Sequence, residues 1–357
     1  MKKLRRQEDP RVTGLFSADD LLYREHYLLR YLIMLSGRTV SPDFKGICMN
    51  PTTVFRLPLL FVLAYALILS GSLILVSYPD VSVRYPELSL AAYLSKVFAF
   101  QLIQLTGLFT LTSLFFYHYR ITQLNRKTVL AVIGLTLFLY TANMILGSLK
   151  AEWLSHLMAT MIAEKAEFAD VILLVKTADI GLYLISFVLL GIATRLVAKY
   201  YLKVSHPAVI PDGKTPDIYA LLFSCGMVYL MWMIALFLTA VITPHLPGGI
   251  PAPLSDNAYT TAAGLLISCG VIFIVVRQRF PVAGGILQIR PLVISVLLST
   301  VLSILVMAAI TAGTVYMVLL TSSFRHFGET ELWMMTAVSI ALTLWISRRV
   351  IGVMFRR

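Results

Sequence analysis

The 357 residues are 58% hydrophobic and only 13% charged, with a mean hydropathy of +0.82; this balance excludes an ordinary soluble domain and a disordered chain and points to a membrane protein. The net charge of +12 would suit a nucleic-acid binder, but 24 of the 30 Lys and Arg fall near the chain termini or in every second connector between apolar stretches. The charge therefore records topology, and no nucleic-acid partner is expected.

Residues 1–56 form the one sizeable aqueous segment. Residues 1–16 contain no apolar core and no small-residue cleavage site, so no removable signal peptide is expected. Ser17 and Asp20 resemble a helix-capping arrangement, Leu21, Leu28, Leu32 and Leu35 recur at helical spacing, and Gly37 offers a stop. The pattern predicts an amphipathic helix, either lying on the membrane surface or docking a cytosolic partner. Asn50 and Pro51 read as N-cap and first residue of a helix leading into the first span.

Eight apolar stretches follow, at 57–77, 97–117, 128–148, 171–193, 218–243, 258–276, 291–320 and 332–347. A window of about 20 uncharged residues at about 1.5 Å each matches a hydrocarbon core roughly 30 Å thick. The expected fold is an all-α integral membrane protein, a polytopic bundle of about eight transmembrane helices spanning 57–347. A cytoplasmic segment (1–56) precedes it and a basic cytoplasmic tail (348–357) follows. The basic residues gather on the side of both termini, which the positive-inside rule assigns to the cytoplasm; the expected location is the cytoplasmic membrane, with anionic lipids of the inner leaflet as partners.

The connectors carry their own patterns. Residues 149–170 set Trp153, Leu154, Leu157 and Met158 against Glu152, Glu164 and Glu167, which predicts a second interfacial helix on the far side. Pro and Gly dominate 244–253, an extended strap. The seventh span needs tilting, kinking or projection at about 45 Å, whereas the eighth, about 24 Å, is short enough that Arg348 and Arg349 must snorkel while the helix continues toward Phe355. Arg56-Leu57-Pro58 and Arg290-Pro291-Leu292 echo one another at the starts of spans one and seven, too briefly to define a repeat. Cys225 and Cys269 lie inside spans and Cys48 outside them, so no disulfide is expected.

Charge inside a span is costly, about 2.5–3.5 kcal/mol per group near the centre. Lys176 and Asp179, three residues apart on the fourth span, share a helix face and can pair. They read as an ion, proton or substrate relay, as a neutralised pair buried between helices, or, if the span begins only near Ile180, as charges in the outer headgroup layer. Gln101 and Gln104 on the second span and Asn143 on the third are the other candidates for this intramembrane polar site, or else form packing hydrogen bonds. On the seventh span Ser295, Ser299 and Ser303 recur every four residues and lead into Ala309 and Gly313, the expected helix-packing face inside the bundle or between protomers.

No motif names a reaction. The six histidines fall in connectors or at span ends, and metalloprotease, nucleophile-elbow and phosphate-loop patterns are absent. Asp212-Gly213-Lys214-Thr215 resembles the end of a phosphate loop without its leading glycine and reads as a turn. No catalytic residue, metal or cofactor is expected. The leading expectation is a non-enzymatic membrane component of a larger assembly, with protein partners or further copies of itself. A small-solute or lipid transporter built around Lys176 and Asp179 is second, and an enzyme acting on a lipid is third.

Overall fold

The computed structural model describes residues 55–163, 168–203, 214–242, 258–281, 287–321 and 329–355, all within the unit Cys48–Arg357. They form eight long helices and no strand: α1 (Arg56–Arg84), α2 (Leu90–His118), α3 (Arg126–Ala163), α4 (Phe168–Leu196), α5 (Thr215–Ile242), α6 (Ala258–Arg277), α7 (Ile289–Thr321) and α8 (Glu329–Met354). Each is long and apolar enough to cross a bilayer, one helix for each expected span. The amphipathic segment 17–37, Cys48 and the strap at 244–253 lie outside the described residues.

Local chemistry sets the helix ends. The Ser89 hydroxyl caps α2 by accepting from the Ala92 N–H at 3.2 Å. At the other end Arg120 turns left-handed (φ 63°), and the Ile121 N–H donates to the Phe116 carbonyl at 2.7 Å, closing the helix while Ile121 buries its side chain. Asn125 and Thr128 start α3 with a reciprocal box: the Thr128 N–H donates to Asn125 Oδ1 at 2.8 Å and the Asn125 N–H donates to Thr128 Oγ1 at 2.9 Å. A π-helical stretch widens α1 over Leu73–Ser77, and another over Val197–Leu202 extends α4 until Lys203 (φ 48°) ends it.

The helices pack as two four-membered rings with the same neighbour pattern. In the first, α1 and α4 each touch both α2 and α3; in the second, α5 and α8 each touch both α6 and α7. Helices α2 and α4 join the rings by packing on α5, and α2 also touches α6. Because a ring has an even number of helices, both rings start at the same end of the bundle. The repeat thus relates α1 to α5, whereas the short sequence echo related span one to span seven. One apolar core, including Phe61, Phe116, Leu135 and Leu190, fills the first ring; the other, centred on Tyr219, Phe223, Met227 and Ile351, fills the second and reaches into α2.

Small residues let the helices close on one another, since lipid provides little hydrophobic drive between apolar surfaces. Gly107 lies against the Tyr229 ring, Gly191 against the tip of the Phe115 ring, and Gly226 between Thr110 and Val296. Arg277, Arg279, Arg348, Arg349 and the other residues of odd-helix starts and even-helix ends collect at one end of the bundle, called the basic end below. There Phe280 stacks on Tyr219 at 5.3 Å between centroids and meets Phe355 edge-on at 5.1 Å, and Arg277 pairs with Asp217.

Two expectations change. The segment 149–170 does not begin a separate interfacial helix, because α3 runs unbroken through Lys150 to Ala163, 38 residues or about 57 Å. Helix α8 runs on through Arg348 and Arg349 to Met354, the continuation expected of so short an eighth span. Ser295, Ser299 and Ser303 are fully buried within the bundle, as a packing face should be, but Ala309 and Gly313 are exposed and nothing lies within 4 Å of a Cβ built on Gly313. At about 100° per residue Ala309 sits about 80° around the wheel from Ser299, while Gly313, only about 40° away, has no neighbour among the described residues; the packed stripe continues through half-buried Val306, Ile310 and Thr314.

Candidate functional site

Inside the first ring, polar side chains from four helices meet. Asn143 on α3 is the hub: its Nδ2 donates to the Tyr65 hydroxyl on α1 at 3.1 Å, and its Oδ1 accepts from the Ser186 hydroxyl on α4 at 2.5 Å. Both ends of the amide are thereby used, which fixes its orientation. Beside it Gln104 on α2 donates through Nε2 to the Tyr183 hydroxyl on α4. These five residues, with Tyr229 of α5 whose ring roofs Gly107, line a common cavity of about 40 Å³. That is room for a few water molecules at most. The Tyr65 ring is held edge-on by Tyr140 at 6.3 Å, and Phe187 braces Tyr229 at 6.4 Å.

Asp179 belongs to this system by register. Asn143 and Lys150 are seven residues apart on α3, as are Ser186 and Asp179 on antiparallel α4, so a second layer follows about 10 Å further from the basic end. In it the Lys150 ammonium donates to Asp179 Oδ1 at 2.6 Å, with both side chains between a quarter and a third exposed. Lys150 therefore takes the place expected of Lys176. Lys176 is half-buried and pairs with no carboxylate among the described residues, although it shares a face of α4 with Asp179. Gln101 is half-buried and does not line the cavity.

Of the five residues expected from sequence, the structure brings Gln104 and Asn143 into one cluster, places Asp179 in the adjoining layer, and leaves Lys176 and Gln101 aside. It adds Tyr65, Lys150, Tyr183 and Ser186. A signal for three of these was present: Asp179, Tyr183 and Ser186 follow at i, i+4 and i+7, the spacing of one helix face, and Asn143 and Lys150 match it at i and i+7.

The second ring has a different interior. Ser224, Ser295, Ser299, Ser303, Thr343 and Ser347 are buried there; three of these hydroxyls bond back to their own helices, Ser224 to the Ala220 carbonyl at 2.6 Å, Ser295 to the Pro291 carbonyl at 2.7 Å and Ser347 to the Thr343 carbonyl at 2.8 Å, whereas Ser299 and Ser303 find no partner among the described residues. Cys225 and Cys269 are free thiols on neighbouring α5 and α6. Among the described residues no group of three or more His, Cys, Asp or Glu could hold a metal ion. No protein-family model, curated protein or solved structure matches the chain.

Proposed function

We propose that this protein conducts protons across the membrane through its first ring, with the basic end in the cytoplasm. The observation that carries the reading is the convergence of Tyr65, Gln104, Asn143, Tyr183 and Ser186 on one small cavity, next to a charged pair in the following layer. Intramembrane polar and ionisable groups cost several kcal/mol and mark pathways when they share a cavity. Asp179, paired with Lys150, lies on the far side of the cluster and serves as the entry point, while hydroxyls and amides that both donate and accept can relay a proton between the few waters the cavity holds. Its size excludes larger solutes in the state described.

Access of a small thiol-reactive cation tests this. In a chain lacking Cys48, Cys225 and Cys269, Ser186→Cys should be protected by silver ion added from either side of sealed vesicles, whereas Val188→Cys, 60% exposed on the outer surface of the same helix, should not. Equal protection of the two positions would count against a route through the ring.

The assembly reading is favoured by one feature. The half of α7 beyond Ser303 presents Ala308, Ala309, Ala312 and Gly313 on an exposed side, an approach surface for another helix. A discrete cross-linked species from Ala309→Cys in native membranes, absent from Leu297→Cys, would support it; no such species from either position would remove it.

A further inference from the structure

The second ring holds a feature that the conduction reading does not use. Where α6 ends and α8 nears its end, a cavity of about 520 Å³ opens at the basic end, lined by Gln278, Arg279, Trp345, Arg348, Arg349 and Gly352 among others. Three guanidinium groups line it, and no carboxylate does so among the described residues. Asp217, the one described carboxylate at this end, is engaged by Arg277 through both oxygens. The Arg349 guanidinium lies over the Trp345 ring at 5.4 Å, a cation–π contact that restrains it at the cavity wall. Gly352 keeps the wall open: a Cβ built there meets nothing within 4 Å.

We propose that this cavity binds a phosphate group presented by an anionic lipid headgroup. Arginine forks match phosphate oxygens in pairs, and three in one concavity without a counter-charge form a site for an anion with several acceptor oxygens. The lipid is the source because the cavity sits at the end of two apolar helices, with Trp345 56% exposed one turn inward, at the depth where indole rings mark the interface. Basic pockets between spanning helices on the cytoplasmic side recognise such headgroups.

Native mass spectrometry of the full chain, titrated with cardiolipin or phosphatidylcholine, tests the assignment. Wild type should retain cardiolipin in preference to phosphatidylcholine, and the double variant Arg348→Gln/Arg349→Gln should lower that retention at least tenfold. Arg126→Gln, the same kind of charge loss on exposed surface away from the cavity, should leave it unchanged. Gly352→Leu keeps every charge, fills open space without a clash and should also lower retention, which separates occlusion of the cavity from a general loss of basic charge or of folding. Inorganic phosphate at millimolar concentration should not displace the lipid. Retention unaltered by both cavity variants would overturn the proposal, and binding of inorganic phosphate without any cardiolipin preference would overturn the lipid as its source.

Discussion

Substituting Gly107 with alanine probes the wall between the two rings. A Cβ built at position 107 falls 2.5, 2.6 and 2.7 Å from Cε2, Cδ2 and Cζ of Tyr229, about 1 Å inside ordinary carbon–carbon contact. The ring has little room to yield, being 8% exposed and flanked by Phe187. Overpacking of this kind costs about 1–3 kcal/mol, opposed by about 1 kcal/mol of helix propensity gained on replacing glycine with alanine. Gly134→Ala isolates the second effect, since nothing lies within 4 Å of its Cβ. The difference between the two variants in reversible detergent unfolding should therefore be about 1–3 kcal/mol, with Gly107→Ala the less stable. In a Tyr229→Leu background, where the six-membered ring is gone, Gly107→Ala should approach the Gly134→Ala result. Equal stabilities of the two alanine variants, within ~0.5 kcal/mol, would refute the close contact.

Other consequences are independent of that wall. Removing one member of the Lys150–Asp179 pair, as in Lys150→Met or Asp179→Leu, should lower stability by on the order of 1 kcal/mol, the double variant should recover part of the loss, and Lys176→Met should be neutral; a larger effect at Lys176 than at Lys150 would reverse the assignment. Ser299→Leu should reduce the folded fraction in size-exclusion profiles because the site is fully buried, whereas Ser299→Ala and the exposed Ala309→Leu should both run as wild type. For the membrane orientation, Glu87→Cys should react with an impermeant thiol reagent in intact cells and Lys203→Cys only after lysis, and the opposite pattern would invert the bundle.

The helix count was legible because each span is a long uncharged run, and lipid imposes that pattern on any helix crossing it. The site was legible only in part. Gln104 and Asn143 stand out as amides in apolar surroundings, but Tyr65 does not, since tyrosine is unremarkable in a span until its hydroxyl finds a partner, and Tyr183 is marked only by its spacing from Asp179 and Ser186. Lys176 drew attention through its closeness to Asp179 along one helix. The partner that the structure supplies, Lys150, lies on another helix in an antiparallel register that no local spacing specifies. The serine ladder shows the same limit: the four-residue spacing of Ser295, Ser299 and Ser303 marks one helix face, but how far along α7 that face stays covered is set by the neighbouring helices and not by its own sequence.

Proton flux through the purified chain in sealed liposomes tests the central claim most directly. With a potassium diffusion potential imposed and an internal pH dye as reporter, wild type should acidify or alkalinise the lumen faster than protein-free vesicles, Asp179→Asn should slow that rate at least tenfold, and Lys176→Met should leave it unchanged. A wild-type rate equal to that of protein-free vesicles, or an Asp179→Asn rate equal to wild type, would contradict the account.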